Sequence, residues 1–168
     1  NAILFCNRKT EVDILAKSLK KHGLDAAPIH GDLDQSQRTR TLDGFRDGSL
    51  RFLVASDVAA RGLEIPAVSH VFNFDVPSHA EDYVHRIGRT GRAGRKGVAV
   101  TLATPADEKY LTAIEKLVKQ PIPRAPLPEG FEPVTTGKKT AETDEKPQKE
   151  RRSRRKRASD EDQAATAP

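Results

Sequence analysis

Eight consecutive residues, His85-Arg86-Ile87-Gly88-Arg89-Thr90-Gly91-Arg92, gather three guanidinium groups, an imidazole and two glycines. Arg89 and Arg92 are three apart, so a continuing helical turn would put them on one side, and the glycines leave room for a ligand to approach the backbone. Two planar guanidinium forks converging on one place suit a polyphosphate. Just upstream, Ala80, Tyr83, Val84 and Ile87 recur at helical spacing. They predict a helix over 79–88 with those residues on its apolar side and His85, Arg86 and Arg89 facing the other way. The competing explanation is a disordered Arg/Gly segment that binds RNA, encouraged by glycines at 88, 91, 94 and 97. An amphipathic helix leading in and an apolar strand leading out favour a folded site.

Elements able to hold such a site follow from the rest of the pattern. Short runs rich in Val, Ile and Phe, at 2–6, 26–29, 51–55, 68–73 and 98–103, alternate with segments of helical period. That alternation is the sequence form of repeated β-α units around a parallel sheet buried on both faces; a ferredoxin-like α+β domain is the alternative. Val12, Leu15, Ala16 and Leu19 form one helical stripe ending near Gly23, Leu42 and Phe45 belong to a helix ending near Gly48, and a last helix fits 106–118. After Lys119 the pattern stops in a proline-crowded stretch and then a Lys/Arg-rich one. Such sequence buries too little apolar surface to offset its ordering entropy. The expected organisation is a folded domain over 1–120 and a disordered tail over 121–168.

Bulk properties narrow the class. A chain of 168 residues with net charge +5 suits one core, and 149–157, where seven of nine residues are Lys or Arg, points to an anionic partner such as nucleic acid. Cys6 is the sole cysteine, which excludes an internal disulfide and a cysteine-built zinc site and fits a cytoplasmic protein. No apolar run approaches the roughly 18 residues of a membrane span, and no secretory signal is evident. The chain starts without Met, directly in the apolar run 2–6, as a fragment would.

The octet 85–92 resembles motif VI of DEAD-box RNA helicases, with His85 rather than Gln at its head as in that group. Other stretches agree in order. Phe5-Cys6-Asn7-Arg8-Lys9 resembles motif IV, His30-Gly31-Asp32 with Gln35-Ser36-Gln37-Arg38 resembles the segment after it, and Ser56 through Pro66 is similar to motif V. Together they cover residues 1 to about 105, and the wording at 73–77 resembles a bacterial RhlE-like branch. The resemblance implies a RecA-like α/β domain, a parallel sheet with helices on both faces, that forms the C-terminal half of an ATP-dependent RNA helicase. Its partners would be RNA, single-stranded or in short duplexes, and a missing N-terminal RecA-like domain of the same protein that binds most of the ATP and Mg2+; the isolated chain is expected to be monomeric.

Roles follow by position. Arg89 and Arg92 would be arginine fingers toward the γ-phosphate, with Gly62 and Glu64 also at the nucleotide, while His85 and Arg86 would contact the other domain. Arg8, Gly31, Gln35, Arg38 and Ser56 would hold the RNA backbone without reading bases; for Ser56 the alternative is a helix N-cap. Two positions depart from the family pattern: Glu64 replaces Asp, and Arg8 replaces Thr. The sequence contains no phosphate-cradling loop followed by Lys and no acidic Mg2+ site of the kind phosphoryl transfer needs. Residues 137–140 have Glu132 where the first loop glycine belongs, and Asp160-Glu161-Asp162 lies in the tail. Hydrolysis by the isolated chain is therefore not expected, nor any metal site within it. A stand-alone RNA-binding scaffold and a DNA-directed helicase domain are the rival readings, the first opposed by the arginine pair and the second by His85.

Overall fold

The computed structural model describes residues 1–131, of which 1–124 form one compact unit. Its strands are β1 (Ala2–Cys6), β2 (Ala26–Ile29), β3 (Phe52–Ser56), β4 (His70–Asn73) and β5 (Val98–Thr101). Its helices are α1 (Lys9–Lys21), α2 (Gln35–Asp47), α3 (Asp57–Ala60), α4 (Ala80–Ile87) and α5 (Glu108–Val118), the last entered through a 3-10 turn at Pro105–Asp107. All strand pairs are parallel, in the order β2-β3-β1-β4-β5. β1 occupies the centre because all five of its residues are buried. Alternation of side chains sends Ile3 and Phe5 to one face, where they meet Leu42 and Phe45 of α2. Leu4 and Cys6 go to the other face and meet Val12 and Ala16 of α1.

Local chemistry sets the helix ends. Asp34 accepts from the Gln37 N–H at 2.8 Å while the Gln37 side chain accepts from the Asp34 N–H at 3.3 Å, a reciprocal cap that starts α2. Gly48, at φ +85°, stops it. Leu111 and Ile114 of α5 pack with Tyr83 of α4 and with Val76 in the loop that precedes it.

Two details refine the expected layout. Cover is thin over β5: Val98, Val100 and Leu102, at and just beyond it, remain 47%, 38% and 54% exposed, and no β5 residue belongs to the buried clusters that the helices build on the other strands. Residues 121–124, expected to lie outside the fold, run along α5, where the Ile122 N–H donates to Glu115 Oε1 at 2.9 Å and Arg124 pairs with Glu108 at 3.1 Å. The basic run at 149–157 lies outside the described residues.

Because every strand is parallel, one rim of the sheet collects all the carboxyl ends, and the loops leaving β1, β2, β3 and β4 carry Asn7, Gly31, Asp57 and Asp75 to it. Cys6, fully buried beneath that rim, has its thiol pushed up to about 12, first by burial and then by the nearby Asp75 carboxylate. Its alkylation by iodoacetamide at about pH 8 is expected to follow global unfolding rather than precede it. Rapid modification of the native protein, measured by mass spectrometry, would contradict this packing.

Candidate functional site

Arg86 is the most buried charged residue of the rim, at 1% exposure. Its Nε and Nη2 donate to the two oxygens of Asp57 at 2.7 and 2.6 Å, Nη1 donates to the Asp75 carbonyl at 2.8 Å, and Nη2 also donates to Asn7 Oδ1 at 2.8 Å. The guanidinium carbon lies 5.3 Å from the centre of the Phe5 ring. Asn7 closes the circuit, accepting at its own Oδ1 while donating from Nδ2 to the Val76 carbonyl and from its backbone N–H to Asp75 Oδ2, both at 2.9 Å. One side chain of α4 thus ties together the loops that leave β1, β3 and β4. The expectation that Arg86 reaches another domain is corrected. α4 faces the sheet through Tyr83 and Arg86, three apart, and turns Val84 outward to 43% exposure. His85 remains exposed beside a narrow recess shared with Arg61, Asp82 and Arg89, in which Arg61 and Asp82 form an ion pair.

α4 ends at Ile87, so the expected helical turn through Arg92 does not form. The Arg89 and Thr90 N–H groups instead donate to the Arg86 and Ile87 carbonyls at 3.1 Å each, and Thr90 Oγ1 anchors the loop on the Val68 and Ser69 carbonyls at 2.6 and 3.0 Å. Gly91, at φ +68°, then turns the chain. A methyl group on Gly97 would collide with the Thr90 side chain and the Gly91 nitrogen, which fixes how closely the strand-bound segment returns past this loop. Arg89 is half-buried, with Nη2 donating to the Ala60 carbonyl at the end of α3 at 3.1 Å. Arg92 is exposed and folds back, Nε donating to the Gly88 carbonyl at 2.6 Å. Burial, and then the adjacent Arg92 charge, lower the pKa of Arg89 from the ordinary guanidinium value. Neither arginine pairs with a carboxylate among the described residues.

The remaining candidates have varied surroundings. Ser56 is buried and its Oγ accepts from the Ala59 N–H at 3.4 Å, so it caps α3. Gly62 needs its φ of +74°, whereas an added Cβ there would meet nothing. The Glu64 side chain is exposed, and its carbonyl accepts from Arg46 Nη2 at 3.0 Å. Gln35 opens α2 exposed, and Arg38, half-buried one turn on, has a buried Nε without an acceptor among the described residues. Gly31 is exposed, and Arg8 caps α1 with its extended backbone while its own side chain is exposed. Sequence reasoning missed Asp57 and Asn7 as holders of Arg86, although both lie inside the quoted stretches. It also missed Asp34, whose spacing to Gln37 is a capping signal. Glu11, in the first turn of α1, has its Oε2 buried without a donor among the described residues; burial, and next the Asp75 carboxylate, raise its pKa.

Comparison with known proteins gives a consistent picture. Residues 1–94 match the family model described as helicase conserved C-terminal domain. The DEAD-box ATP-dependent RNA helicase CshA of Bacillus subtilis is 51% identical over 127 residues, which are 76% of this chain and 26% of CshA. The chain therefore spans about a quarter of the length of the curated relatives it matches. Among solved structures, the E. coli DEAD-box protein SrmB bound to regulator of ribonuclease activity A superimposes with a TM-score of 0.69 and 41% identity, over 73% of this chain and 72% of that one. S. cerevisiae Dbp5 bound to RNA and ADP-BeF3 gives a TM-score of 0.64 and 40% identity, over 69% of this chain and 32% of that one.

Two measurements test this arrangement. Arg86→Ala leaves the Asp57 carboxylate without its partner and is expected to cost about 3–5 kcal/mol of unfolding free energy by urea titration; a loss under about 1 kcal/mol would show the network to be dispensable. Glu11 has a folded pKa above its unfolded one, so its ionisation subtracts stability above the folded value, and that penalty disappears as pH falls below the unfolded range. Glu11→Gln is therefore expected to stabilise the protein at about pH 7 and to have much less effect at about pH 4. A destabilised variant at neutral pH would refute the carboxylate pairing.

Proposed function

The chain belongs to the DEAD-box helicase C-terminal domain family, and from that membership we propose that it is the second RecA-like half of an ATP-dependent RNA helicase. In this reading a first RecA-like domain of the same protein binds most of the ATP with its Mg2+, and closure of the cleft between the halves brings Arg89 and Arg92 to the γ-phosphate. The observation that carries the reading is the state of this pair. Arg89 is held in place by the Ala60 carbonyl, Arg92 stands near enough to raise the potential around it, and no carboxylate neutralises either among the described residues. Two like charges kept side by side fit an anion with several oxygens. Guanidinium groups positioned in advance stabilise charge that spreads over phosphoryl oxygens during transfer, without reorganising at the moment of reaction. Gly62, open to approach, and the exposed Glu64 carboxylate suit contact with the rest of the nucleotide, and the exposed His85 suits contact with the other domain.

RNA is proposed to lie along the loops of the same rim, held through phosphate and sugar. Arg38, whose Nε is a buried donor without an acceptor among the described residues, and Gln35 beside it at the positive end of α2 support this placement. Arg8, Gly31 and Ser56 would complete the track, Ser56 through its hydroxyl, which accepts from the Ala59 N–H and keeps its own proton to donate, and through nearby backbone N–H groups at the start of α3. The basic run at 149–157 would add sequence-independent affinity. Reopening after hydrolysis would release RNA strained away from duplex geometry, which gives local unwinding.

In the full-length protein, Arg89→Ala is expected to lower RNA-stimulated ATPase turnover by roughly a thousandfold or more, with a much smaller change in nucleotide affinity. Turnover within a fewfold of the wild type would remove the finger role.

A further inference from the structure

The edge of the sheet farthest from β5 carries a groove of about 340 Å3 along β2. Ala27, Pro28 and Leu33, all half-buried, make its floor, while Lys20 of α1 and Arg40 of α2 stand exposed on its rims with Gln37 beside them. No acidic residue lines it, and neither cation pairs with a carboxylate among the described residues. Arg40 is braced along its own helix, Nε donating to the Ser36 carbonyl at 3.4 Å and Nη2 to Ser36 Oγ at 3.2 Å, which leaves Nη1 free to face an occupant. At 100° per residue, Gln37 and Arg40 lie on a different side of α2 from Gln35 and Arg38, so the groove is separate from the proposed RNA track.

The edge itself restricts what can bind. The Asp25 carbonyl accepts from the Phe52 N–H at 2.9 Å, so alternate peptide groups from Asp25 turn toward β3 and those of Ala26 and Pro28 turn outward. Pro28 supplies no N–H, which blunts the edge against addition of a further strand. Recognition there must come through side chains: an aliphatic floor for an apolar anchor, and two uncompensated cations for acidic groups on either side. A single-stranded nucleic acid would want an aromatic ring to stack on, and none lines the groove among the described residues.

We infer that this groove docks a peptide segment of a partner protein in which an apolar side chain is flanked by carboxylates. The proposal is independent of the reading of Arg89 and Arg92. It is tested on the full-length protein by fluorescence anisotropy with a fluorescein-labelled peptide of alternating leucine and aspartate. Control peptides replace leucine by serine or aspartate by lysine. Binding of the first peptide alone is expected, weakened at least about tenfold by the double substitution Lys20→Glu with Arg40→Glu, while ATPase turnover stays unchanged. Absence of binding, or equal binding by the double variant, overturns the proposal. So does a double variant that loses affinity for single-stranded RNA but not for the peptide, which would assign the groove to nucleic acid.

Discussion

A single buried guanidinium organises the functional rim. Removing Arg86 from water costs several kcal/mol, and the cost is offset only because a bidentate carboxylate, a carbonyl and an amide oxygen take up four of its five N–H donors while the Phe5 ring lies against its face. Those acceptors come from Asp57, Asp75 and Asn7, residues far apart in sequence that a parallel sheet delivers to neighbouring strand ends. The interaction exists only if β1, β3, β4 and α4 are all in register. It therefore reports the assembly of the domain as much as it contributes to it.

What lies downstream of Arg86 inherits its position. Arg89 follows after one tight turn and is pinned a second time by the Ala60 carbonyl, so its guanidinium is fixed relative to motif V at both ends of the connecting segment. Thr90 and Gly97 hold the return of the chain so closely that even a methyl group would not fit. Arg92, by contrast, is exposed and held by one bond to its own loop. The pair thus combines a rigid member with an adaptable one. Their mutual repulsion, with the nearby carboxylates Asp57 and Asp82 engaged by Arg86 and Arg61 and neither of the pair bound to one among the described residues, is the electrostatic form expected of a surface that receives a polyanion from outside.

Much of this was legible in the amino-acid sequence, and the failures share a cause. The strand runs stood out because parallel strands buried on both faces must be apolar throughout, and β1 shows this in five successive residues. The helix stops at Gly23 and Gly48 were legible because a left-handed residue ends a helix whatever surrounds it. Arg86 was misplaced because periodicity assigns a cation to solvent, whereas the carboxylate that makes its burial tolerable lies 29 residues away along the chain. The shape of the turn after α4 was not legible for the same reason, since the anchor of Thr90 on Val68 and Ser69 is not local. Exposure of β5 depends on which helices reach over it, which composition does not contain.

Hydrogen exchange at the Arg86 Nε–H, followed by NMR and compared with the exposed Arg95, tests the central claim most directly. A guanidinium locked between Asp57, Asp75 and Asn7 should exchange slowly, with the core amides of β1. Exchange at the rate of Arg95 would show that the group is open to water and that the rim is organised by something else.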